Sequence, residues 1–169
     1  YGLSDGPLPV YYEPLESPYA NALVSTQFDP LTVLIDDAEN PISPPVDPEY
    51  PLVATTYRVT EHYLSGAMTR HNGWLNELQP AMFIEISPEL AAERGIRNLD
   101  WAVVSTPRDE IEAQVLVTER MQPLLVNGAP SHVVGMLWHF GYKGEAVGNS
   151  ANDLSPMALA PNADIQGTK

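Results

Sequence analysis

The sequence predicts a mainly β protein with small helices, in which a closed β-barrel follows an extended, proline-rich arm. Two observations lead to this fold class. Ten of the seventeen prolines fall within residues 1–51, whereas residues 52–138 contain six short apolar segments of strand-like composition and one strong helix signal. Closure into a barrel removes the exposed edges that so many short strands would otherwise present.

The N-terminal arm, residues 1–51, has only short apolar islands among its prolines and acidic residues. Because proline fixes the backbone angle φ and has no N–H donor, a segment such as PISPPVDPEYP runs extended and joins few strand ladders. We therefore predict two regions, an extended arm over residues 1–51 and a barrel domain over residues 52–169.

The first half of the predicted barrel holds two strands and two helices. Residues 52–57 are predicted as a buried strand and residues 82–86 as a second strand. Between them, residues 72–78 have the composition of a short helix. A stronger helix signal spans residues 88–94, because Ser87 is a good N-cap, Pro88 suits the first turn and Gly95 suits the C-terminal end.

The second half holds four predicted strands. Residues 101–105 and 111–117 are predicted to form a β-hairpin, since apolar and polar residues alternate along the second of them. Residues 124–126 and 132–136 are predicted as two further strands around an Asn127-Gly128 turn. After Trp138 the chain is rich in glycine and polar residues, which predicts a long loop.

Charge and composition exclude several classes of function. The net charge is −14 and the pI is about 4.4, so the surface repels polyanions, which disfavours nucleic acid and anionic membranes as partners. The absence of cysteine excludes disulfides, thiolate metal sites and a cysteine nucleophile from this chain. No apolar run is long enough to span a bilayer, so direct membrane insertion is not expected.

Two polar stretches, residues 58–74 and 138–156, follow predicted strands and could converge at one end of a barrel. In the first stretch, Arg58 and Arg70 are the first cations of the chain and flank small residues that allow a ligand to approach the backbone. Guanidinium groups bind phosphate or carboxylate in pairs of hydrogen bonds, so an anionic ligand fits. The alternative is a pair of ordinary surface ion pairs with Glu61 or Glu77.

Other polar residues leave two interpretations open. Ser65 and His62 have the side chains of a hydrolase, but no GxSxG motif accompanies them, and His62 could instead bond a backbone carbonyl. Asn149, Asn152 and Asp153 are either turn residues or groups that recognise the edge of a heterocycle. The histidine spacing does not predict a metal site.

Taken together, two segments resemble a known family. YRVTEHYLSGAMTRHNGWLNELQPAMFIEISPELAAERGI, followed by HFGYKGEAVGNSANDLSP, is similar to the C-terminal molybdopterin-dinucleotide-binding domain of the large subunit of molybdenum- or tungsten-dependent formate dehydrogenases. The resemblance covers residues 52–160 and extends to the segment that precedes the domain. It implies a six-stranded double-psi β-barrel that covers the two pterin guanine dinucleotides of the cofactor, bis-molybdopterin guanine dinucleotide.

The resemblance also implies which residues bind the cofactor. The residues that match the family's two cofactor-lining segments are Arg58, Thr60, Glu61, His62, Ser65 and Arg70 in the first and Tyr142, Lys143, Asn152 and Asp153 in the second. No residue of this chain is expected to be catalytic or to bind the metal. The molybdenum or tungsten ligand and the cysteines of an iron–sulfur cluster are expected in the remainder of the large subunit, so the isolated chain is predicted to be inactive.

The predicted function is therefore that of the cofactor-binding C-terminal part of a formate dehydrogenase, an oxidoreductase that converts formate to carbon dioxide or the reverse. Its implied partners are the remainder of the large subunit and an iron–sulfur electron-transfer subunit. The compartment is periplasmic or cytoplasmic, and the resemblance favours the periplasm. Two alternatives are a non-catalytic interaction module on the same barrel and a small hydrolase that uses Ser65 and His62.

Overall fold

The computed structural model describes residues 16–20, 33–35, 37–44, 46–141 and 145–159. The elements in chain order are β1 (Val33–Leu34), β2 (Val53–Tyr57), α1 (Gly73–Leu78), β3 (Phe83–Ile86), α2 (Pro88–Arg94), β4 (Trp101–Ser105), β5 (Glu110–Val117), β6 (Leu124–Val126), β7 (Ala129–Ser131), β8 (Val133–Leu137), a 3-10 helix (Ala151–Leu154) and β9 (Ala158–Leu159). The protein is therefore mainly β with small helices, as predicted.

The described residues form two compact units. The arm unit consists of the described parts of residues 1–51, 106–108 and 155–169, and the sheet unit consists of those of residues 52–105 and 109–154. In the arm unit, β1 pairs with β9 in antiparallel fashion. The sheet unit contains the other seven strands and both α-helices.

The sheet unit is built on one mixed, five-stranded sheet with the order β2-β8-β3-β5-β4. The β2–β8 and β3–β5 pairs are parallel, whereas the β3–β8 and β4–β5 pairs are antiparallel. Among the described residues this sheet is open, with β2 and β4 at its edges, so the predicted closed barrel is not formed by them. The reason is that β6 pairs only with β7, in a separate two-stranded sheet, and does not join the edges.

The helix signals are confirmed. Helix α2 begins at Pro88 after an N-cap serine, Ser87, whose hydroxyl accepts a hydrogen bond from the N–H of Leu90 at 3.1 Å. It ends at Gly95, which adopts the left-handed conformation with φ of 67°. Helix α1 begins after Asn72, whose side chain accepts from two N–H groups of the first turn. Local capping chemistry is therefore sufficient to place both helices.

The predicted hairpin over residues 100–118 is confirmed as β4 and β5, but the pairing around Asn127-Gly128 differs from the prediction. Asn127 and Gly128 both have positive φ and form a tight turn, yet the turn joins β6 to β7. The segment predicted as its second strand begins one residue later, as β8, and lies between β2 and β3. Sequence adjacency suggested a local hairpin, whereas the apolar β8 is buried by two non-local partners.

Strand β2 was predicted to be buried, and this is wrong for its centre. The three central residues, 54–56, are exposed, although they form a regular strand with β8. Strand β2 lies at the edge of the sheet and has a neighbouring strand on one side only. We attribute the exposure of its central residues to this edge position.

The core of the sheet unit is formed by aliphatic side chains of the three inner strands, by Leu90 and Ala91 of α2 and by residues that follow β8. Its members include Met82, Ile84, Ile86, Ile111, Val115, Val134, Met136, Leu137, Phe140 and Leu154. Both Phe140 and Leu154 belong to this core, which anchors the segment after β8 to the sheet.

The arm unit is held by polar contacts. The side chain of Asn40 donates to the carbonyl oxygens of Ile35 at 2.8 Å and Met157 at 3.1 Å, and accepts from the N–H of Met157 at 2.8 Å. Arg108, whose side chain is 4% exposed, bonds both carboxylate oxygens of Glu16 at 2.8 and 2.6 Å. These bonds satisfy buried polar groups that a short, proline-rich segment cannot pair in a sheet.

Within the described part of the chain, no helix combines the length and the apolar character needed to cross a membrane.

Candidate functional site

A cavity of about 660 Å³ lies where the two polar stretches meet. One wall comes from residues 58–72, between β2 and α1, which we term the cavity loop, and the other comes from the segment after β8. The lining residues are Ser65, Ala67, Arg70, His71, Trp138, Phe140, Gly141, Gly148, Asn149, Ser150, Asn152 and Asp153. The cavity is large enough for a nucleotide-sized ligand.

Arg70 is the buried cation of this cavity. The residue is only 3% exposed, and its Nη1 donates to the carbonyl oxygen of Ala146 at 3.2 Å. Its Nε is buried and has no hydrogen-bond partner. Among the described residues no carboxylate forms an ion pair with Arg70, so the alternative of a surface pair with Glu61 or Glu77 is not observed. A buried guanidinium without a counter-charge is costly, which indicates a place for an anion.

The backbone of Arg70 is held in place from three sides. Its carbonyl oxygen accepts from the side chain of Asn76 at 2.9 Å and from the N–H of Glu145 at 3.2 Å. Its N–H donates to the carbonyl oxygen of Gly66 at 2.8 Å. These bonds tie the cavity loop to α1 and to the segment after β8, so the backbone of Arg70 is held in a fixed position.

Gly66 allows the cavity loop to approach the segment after β8. It has φ of 77°, and a Cβ at this position would lie 2.1 Å from the carbonyl oxygen of His139 and 2.9 Å from Nε of Arg70. Only glycine satisfies both the positive φ and this close packing. Leu64, two residues earlier, also has positive φ, at 50°.

His62 is buried and both of its ring nitrogens are engaged. Nε2 lies 2.9 Å from the carbonyl oxygen of Gln79, and Nδ1 lies 3.2 Å from the hydroxyl of Thr69. Since a carbonyl oxygen only accepts, Nε2 donates to Gln79. The described hydrogen bonds of the His62 ring go to Gln79 and Thr69 and not to Ser65, so the described geometry gives no support to a Ser65–His62 hydrolase.

His139 lies behind the cavity wall and is fully buried. Its Nε2 accepts a hydrogen bond from the N–H of Val59 at 2.9 Å, and its Nδ1 donates to the carbonyl oxygen of Leu64. Burial lowers the pKa of His139 below its ordinary value of 6.5, and the nearby His62 and Arg58 act in the same direction. The ring is therefore neutral at neutral pH, with its proton on Nδ1.

The second wall carries groups suited to hydrogen bonding. Asn152 and Asp153 stand at the 3-10 helix and are exposed to the cavity, and the hydroxyl of Ser150 accepts from the N–H of Asn152 at 3.2 Å. The side-chain oxygen of Asn149 accepts from the N–H of Glu112 at 3.1 Å, which fixes this wall to β5. A Cβ on Gly148 would lie 2.8 Å from Met82, so glycine permits close packing here.

Arg58 does not line the cavity. Its guanidinium carbon lies 4.8 Å from the ring centre of Trp138, a cation–π distance, and Trp138 does line the cavity. Arg58 therefore supports an aromatic wall residue.

The structure brings together four of the ten residues predicted to bind a cofactor, namely Ser65, Arg70, Asn152 and Asp153. Arg58, Thr60, Glu61 and His62 belong to the cavity loop but are not among the lining residues. Tyr142 and Lys143 lie outside the described residues. The prediction did not include His71, Ala67 and Ser150, whose sequence context carries no signal beyond proximity to Arg70 or Asn152. Within the described chain, no cluster of three or more His, Asp or Glu residues is placed to hold a metal.

These features define what the cavity can bind. A buried cation at one wall suits a phosphate or another anion, whereas the amide and carboxylate at the opposite wall suit the polar edge of a heterocycle. The half-buried Trp138 offers an aromatic ring between them. This combination matches a nucleotide-like anion better than an apolar ligand.

Comparison with known proteins agrees with this description. A family model described as "Molydopterin dinucleotide binding domain" matches residues 52–169. The chain is 41% identical over 170 residues to the formate dehydrogenase subunit alpha of Megalodesulfovibrio gigas, and 40% identical over 169 residues to the formate dehydrogenase 2 subunit alpha (cytochrome c-553) of Nitratidesulfovibrio vulgaris. Each alignment covers 99% of this chain but only 16% and 17%, respectively, of the relative.

A solved structure shares the fold. Acetylene hydratase from Pelobacter acetylenicus matches with a TM-score of 0.54 over 71% of this chain and 17% of that chain, at 16% sequence identity. At this identity the likeness concerns the fold alone.

Proposed function

Because the chain belongs to the molydopterin dinucleotide binding domain family, we propose that it is the part of a formate dehydrogenase catalytic subunit that binds and positions bis-molybdopterin guanine dinucleotide. The observation that carries this proposal is Arg70, a buried guanidinium with an unpartnered Nε at a cavity of about 660 Å³. A pyrophosphate group would supply the acceptor and the negative charge that this side chain lacks among the described residues.

The lining residues have distinct roles in this proposal. Arg70 holds a phosphate oxygen, and the hydroxyl of Ser65 donates a further hydrogen bond to the same group. Asn152 and Asp153 recognise the edge of guanine, because a carboxylate oxygen can accept hydrogen bonds from the N–H groups of guanine. The chain thereby fixes the position of the nucleotide end of the cofactor.

The cavity loop contributes in a second way. Arg58 supports Trp138 through the cation–π contact, and His62 holds the loop through Thr69 and Gln79. A direct bond from His62 to the cofactor, as the resemblance implies, requires one of these two hydrogen bonds to be given up. Direct contacts from Thr60, Glu61, Tyr142 and Lys143 remain predictions.

The bound cofactor supplies the redox-active molybdenum or tungsten for the interconversion of formate and carbon dioxide. The chain itself binds and orients the cofactor, and the metal ligand and the iron–sulfur cluster come from the remainder of the large subunit. An iron–sulfur subunit is the proposed electron-transfer partner. The division into an arm over residues 1–51 and a cofactor-binding domain over residues 52–169 is part of the same proposal.

The double-psi connectivity also belongs to this proposal. Two parallel pairs, β2–β8 and β3–β5, flank the antiparallel β3–β8 pair, and this arrangement is compatible with crossed connections. The assignment concerns connectivity only, because the described sheet is open.

Substitution of Arg70 tests the proposal. The ligand for the assay is diguanosine pyrophosphate, which contains the pyrophosphate and guanine groups of the cofactor, and affinity for the 169-residue chain is measured by titration calorimetry. We expect Arg70→Ala to weaken binding by about tenfold or more, since a charge-assisted hydrogen bond contributes roughly 1.5–3 kcal/mol. Arg70→Lys keeps the charge but not the paired donors, so it should fall in between.

The matched control is Arg97→Ala. The Arg97 side chain is 89% exposed and pairs with Asp100 three residues away, and Arg97 does not line the cavity. Its removal therefore changes the net charge by the same amount without touching the cavity. Equal weakening in both variants would assign the effect to net charge, and unchanged binding in Arg70→Ala would overturn the proposed role of Arg70. In the full large subunit, the Arg70→Ala variant should also retain less pterin.

A further inference from the structure

His139 connects the two walls of the cavity without facing it. Its neighbours in sequence, Trp138 and Phe140, both line the cavity, whereas the His139 ring is buried behind them. The residue follows β8, the inner strand that pairs with both β2 and β3. Its position is therefore fixed by the sheet and not by the loop that it contacts.

The ring and the backbone of His139 contact the cavity loop at three places. Nε2 accepts from the N–H of Val59, Nδ1 donates to the carbonyl oxygen of Leu64, and the carbonyl oxygen of His139 packs directly against Gly66. The loop then supplies Ser65, Ala67, Arg70 and His71 to the cavity. His139 therefore helps to set the distance between the two walls, together with the bonds of Arg70 to Glu145 and Ala146.

This arrangement depends on the protonation state of the ring. The Val59 N–H needs an acceptor, which only an unprotonated Nε2 provides. A second proton on the ring would place two donors face to face and leave the Val59 N–H without a partner. The loop would have to move away from the ring to relieve this contact.

The charged and titratable groups around the ring mostly oppose a second proton. His62 lies with its ring centre 6.3 Å from that of His139, and both His62 and Arg58 disfavour the charged form, whereas Glu61 and the bond to Leu64 favour it. Burial is the largest influence and lowers the pKa. Arg70 adds a buried cation that also packs against Gly66.

We propose that His139 is a positioning residue whose neutral ring holds the cavity loop, and therefore Arg70, in the geometry that binds an anionic ligand. A proton on the ring releases the loop and weakens ligand binding. This inference rests on the proposed function for the identity of the ligand, but it predicts a pH dependence that cofactor binding alone does not require.

A proton on His139 is expected to weaken ligand binding. His71 also lines the cavity and is exposed, so the His71→Gln variant separates its contribution from that of His139. Diguanosine pyrophosphate suits the test because it lacks a terminal phosphate, the group whose second ionisation falls near pH 6.

The test measures the affinity of the 169-residue chain for diguanosine pyrophosphate between about pH 5 and pH 8, the range in which histidine changes charge. We expect the wild-type affinity to weaken by about tenfold as the pH falls across this range. His139→Gln, whose amide oxygen can accept from the Val59 N–H but does not titrate, should bind at neutral pH and lose this dependence. His132→Gln, which alters a histidine paired with Glu93 and remote from the cavity loop, should behave as wild type.

His71→Gln should keep the weakening at low pH. An affinity that strengthens as the pH falls, or the same weakening in His139→Gln as in wild type, would overturn the proposal for His139 while leaving the proposed function intact. Absence of binding at every pH would instead overturn the proposed function, and the role of His139 with it.

A second measurement does not depend on any variant folding. Long-range proton–nitrogen NMR spectra of the wild-type chain report which ring nitrogen of His139 carries the proton. At neutral pH we expect the proton on Nδ1, as the bonds to Val59 and Leu64 require. A proton on Nε2 would contradict the proposed arrangement.

Discussion

Each of the two units contains a buried arginine, and the two arginines differ in whether a carboxylate pairs with them among the described residues. In the arm unit, Arg108 meets both carboxylate oxygens of Glu16 and the carbonyl oxygen of Pro41. In the sheet unit, Arg70 is also buried. Among the described residues its side chain bonds the carbonyl oxygen of Ala146 and has no carboxylate partner. A cation that the chain neutralises itself is part of the interior, whereas one that it leaves uncompensated is suited to an external anion.

The largest expected change in stability comes from breaking the ion pair between Arg108 and Glu16. Glu16→Ala should lower the free energy of unfolding by about 3–5 kcal/mol, because it removes the carboxylate that bonds both terminal nitrogens of the buried Arg108 guanidinium. Urea denaturation of both proteins measures the difference, and Arg97→Ala, which removes an exposed pair, should change it by less than about 0.5 kcal/mol. A loss for Glu16→Ala no larger than that of the control would show that the Arg108 pair does not stabilise the fold.

The next largest expected change in stability comes from replacing Gly66, which packs against Arg70. Gly66→Ala should destabilise by roughly 2–4 kcal/mol, since it combines a positive φ with a clash against the carbonyl oxygen of His139. Gly128→Ala is the matched control, because Gly128 also has positive φ, at 80°, but no atom lies within 4 Å of the added Cβ.

The difference between the two glycine variants in thermal or urea unfolding isolates the clash from the backbone strain. Gly128→Ala should lose only about 1 kcal/mol. If the two variants lose the same stability, the close approach of the cavity loop to His139 is not a constraint on the fold.

Removal of the charge of Arg70 should change stability less than the substitutions of Glu16 and Gly66. Arg70→Met keeps much of the side-chain volume and removes a charge without a partner, so without ligand we expect a change of about 0–1 kcal/mol in the stabilising direction. Equilibrium unfolding in the absence of nucleotide checks this. A loss of stability comparable to that of Glu16→Ala would mean that Arg70 is compensated within the chain, and the contrast between the two arginines would fail.

The two units should also differ in their response to pH. All four histidines, at positions 62, 71, 132 and 139, fall within the sheet unit. Because burial lowers the pKa of His139, the unfolded chain takes up a proton near pH 6.5 that the folded chain takes up only at lower pH. The contribution to stability is therefore constant above the unfolded pKa and is lost as the pH falls from 6.5 towards the lower folded value.

The measurement is the difference in free energy of unfolding between wild type and His139→Gln as a function of pH. This difference should be constant above pH 6.5 and should change in favour of the variant below it. A difference that is independent of pH in this range would show that His139 titrates equally in both states.

The parts of the fold that could be predicted are those determined by residues close together in the sequence. Ser87, Pro88 and Gly95 act within one helix, and their pattern placed α2 correctly. The turn at Asn127-Gly128 is equally local and was also correct. Which strand followed that turn was not, because β8 pairs with β2 and β3 at distant positions in the sequence, and no local pattern encodes such partners. The open edges of the sheet escaped prediction for the same reason.

The candidate site shows the same division. The two polar stretches and the isolated arginines of the cavity loop identified the region, and Arg70 proved to be the buried cation. Its difference from Arg58 could not be predicted, since burial depends on Gly66 and on contacts to Ala146. The sequence alone did not single out His139, because its role depends on hydrogen bonds to Val59 and Leu64, 80 and 75 residues away.

The parallel pairing of β2 with β8 constrains the order of events during synthesis. Val53 in β2 pairs with Val133 in β8, and the N–H of Val59 bonds His139, which lies 80 residues later in the chain. While the chain is being made, β2 lacks its partner strand β8, and the cavity loop has no opposite wall until residues 138–153 have left the ribosome. Long-range pairing of this kind is slow. The cavity should therefore form late, after the helices and the β4–β5 hairpin, so that any ligand of the cavity binds a chain that is already largely folded.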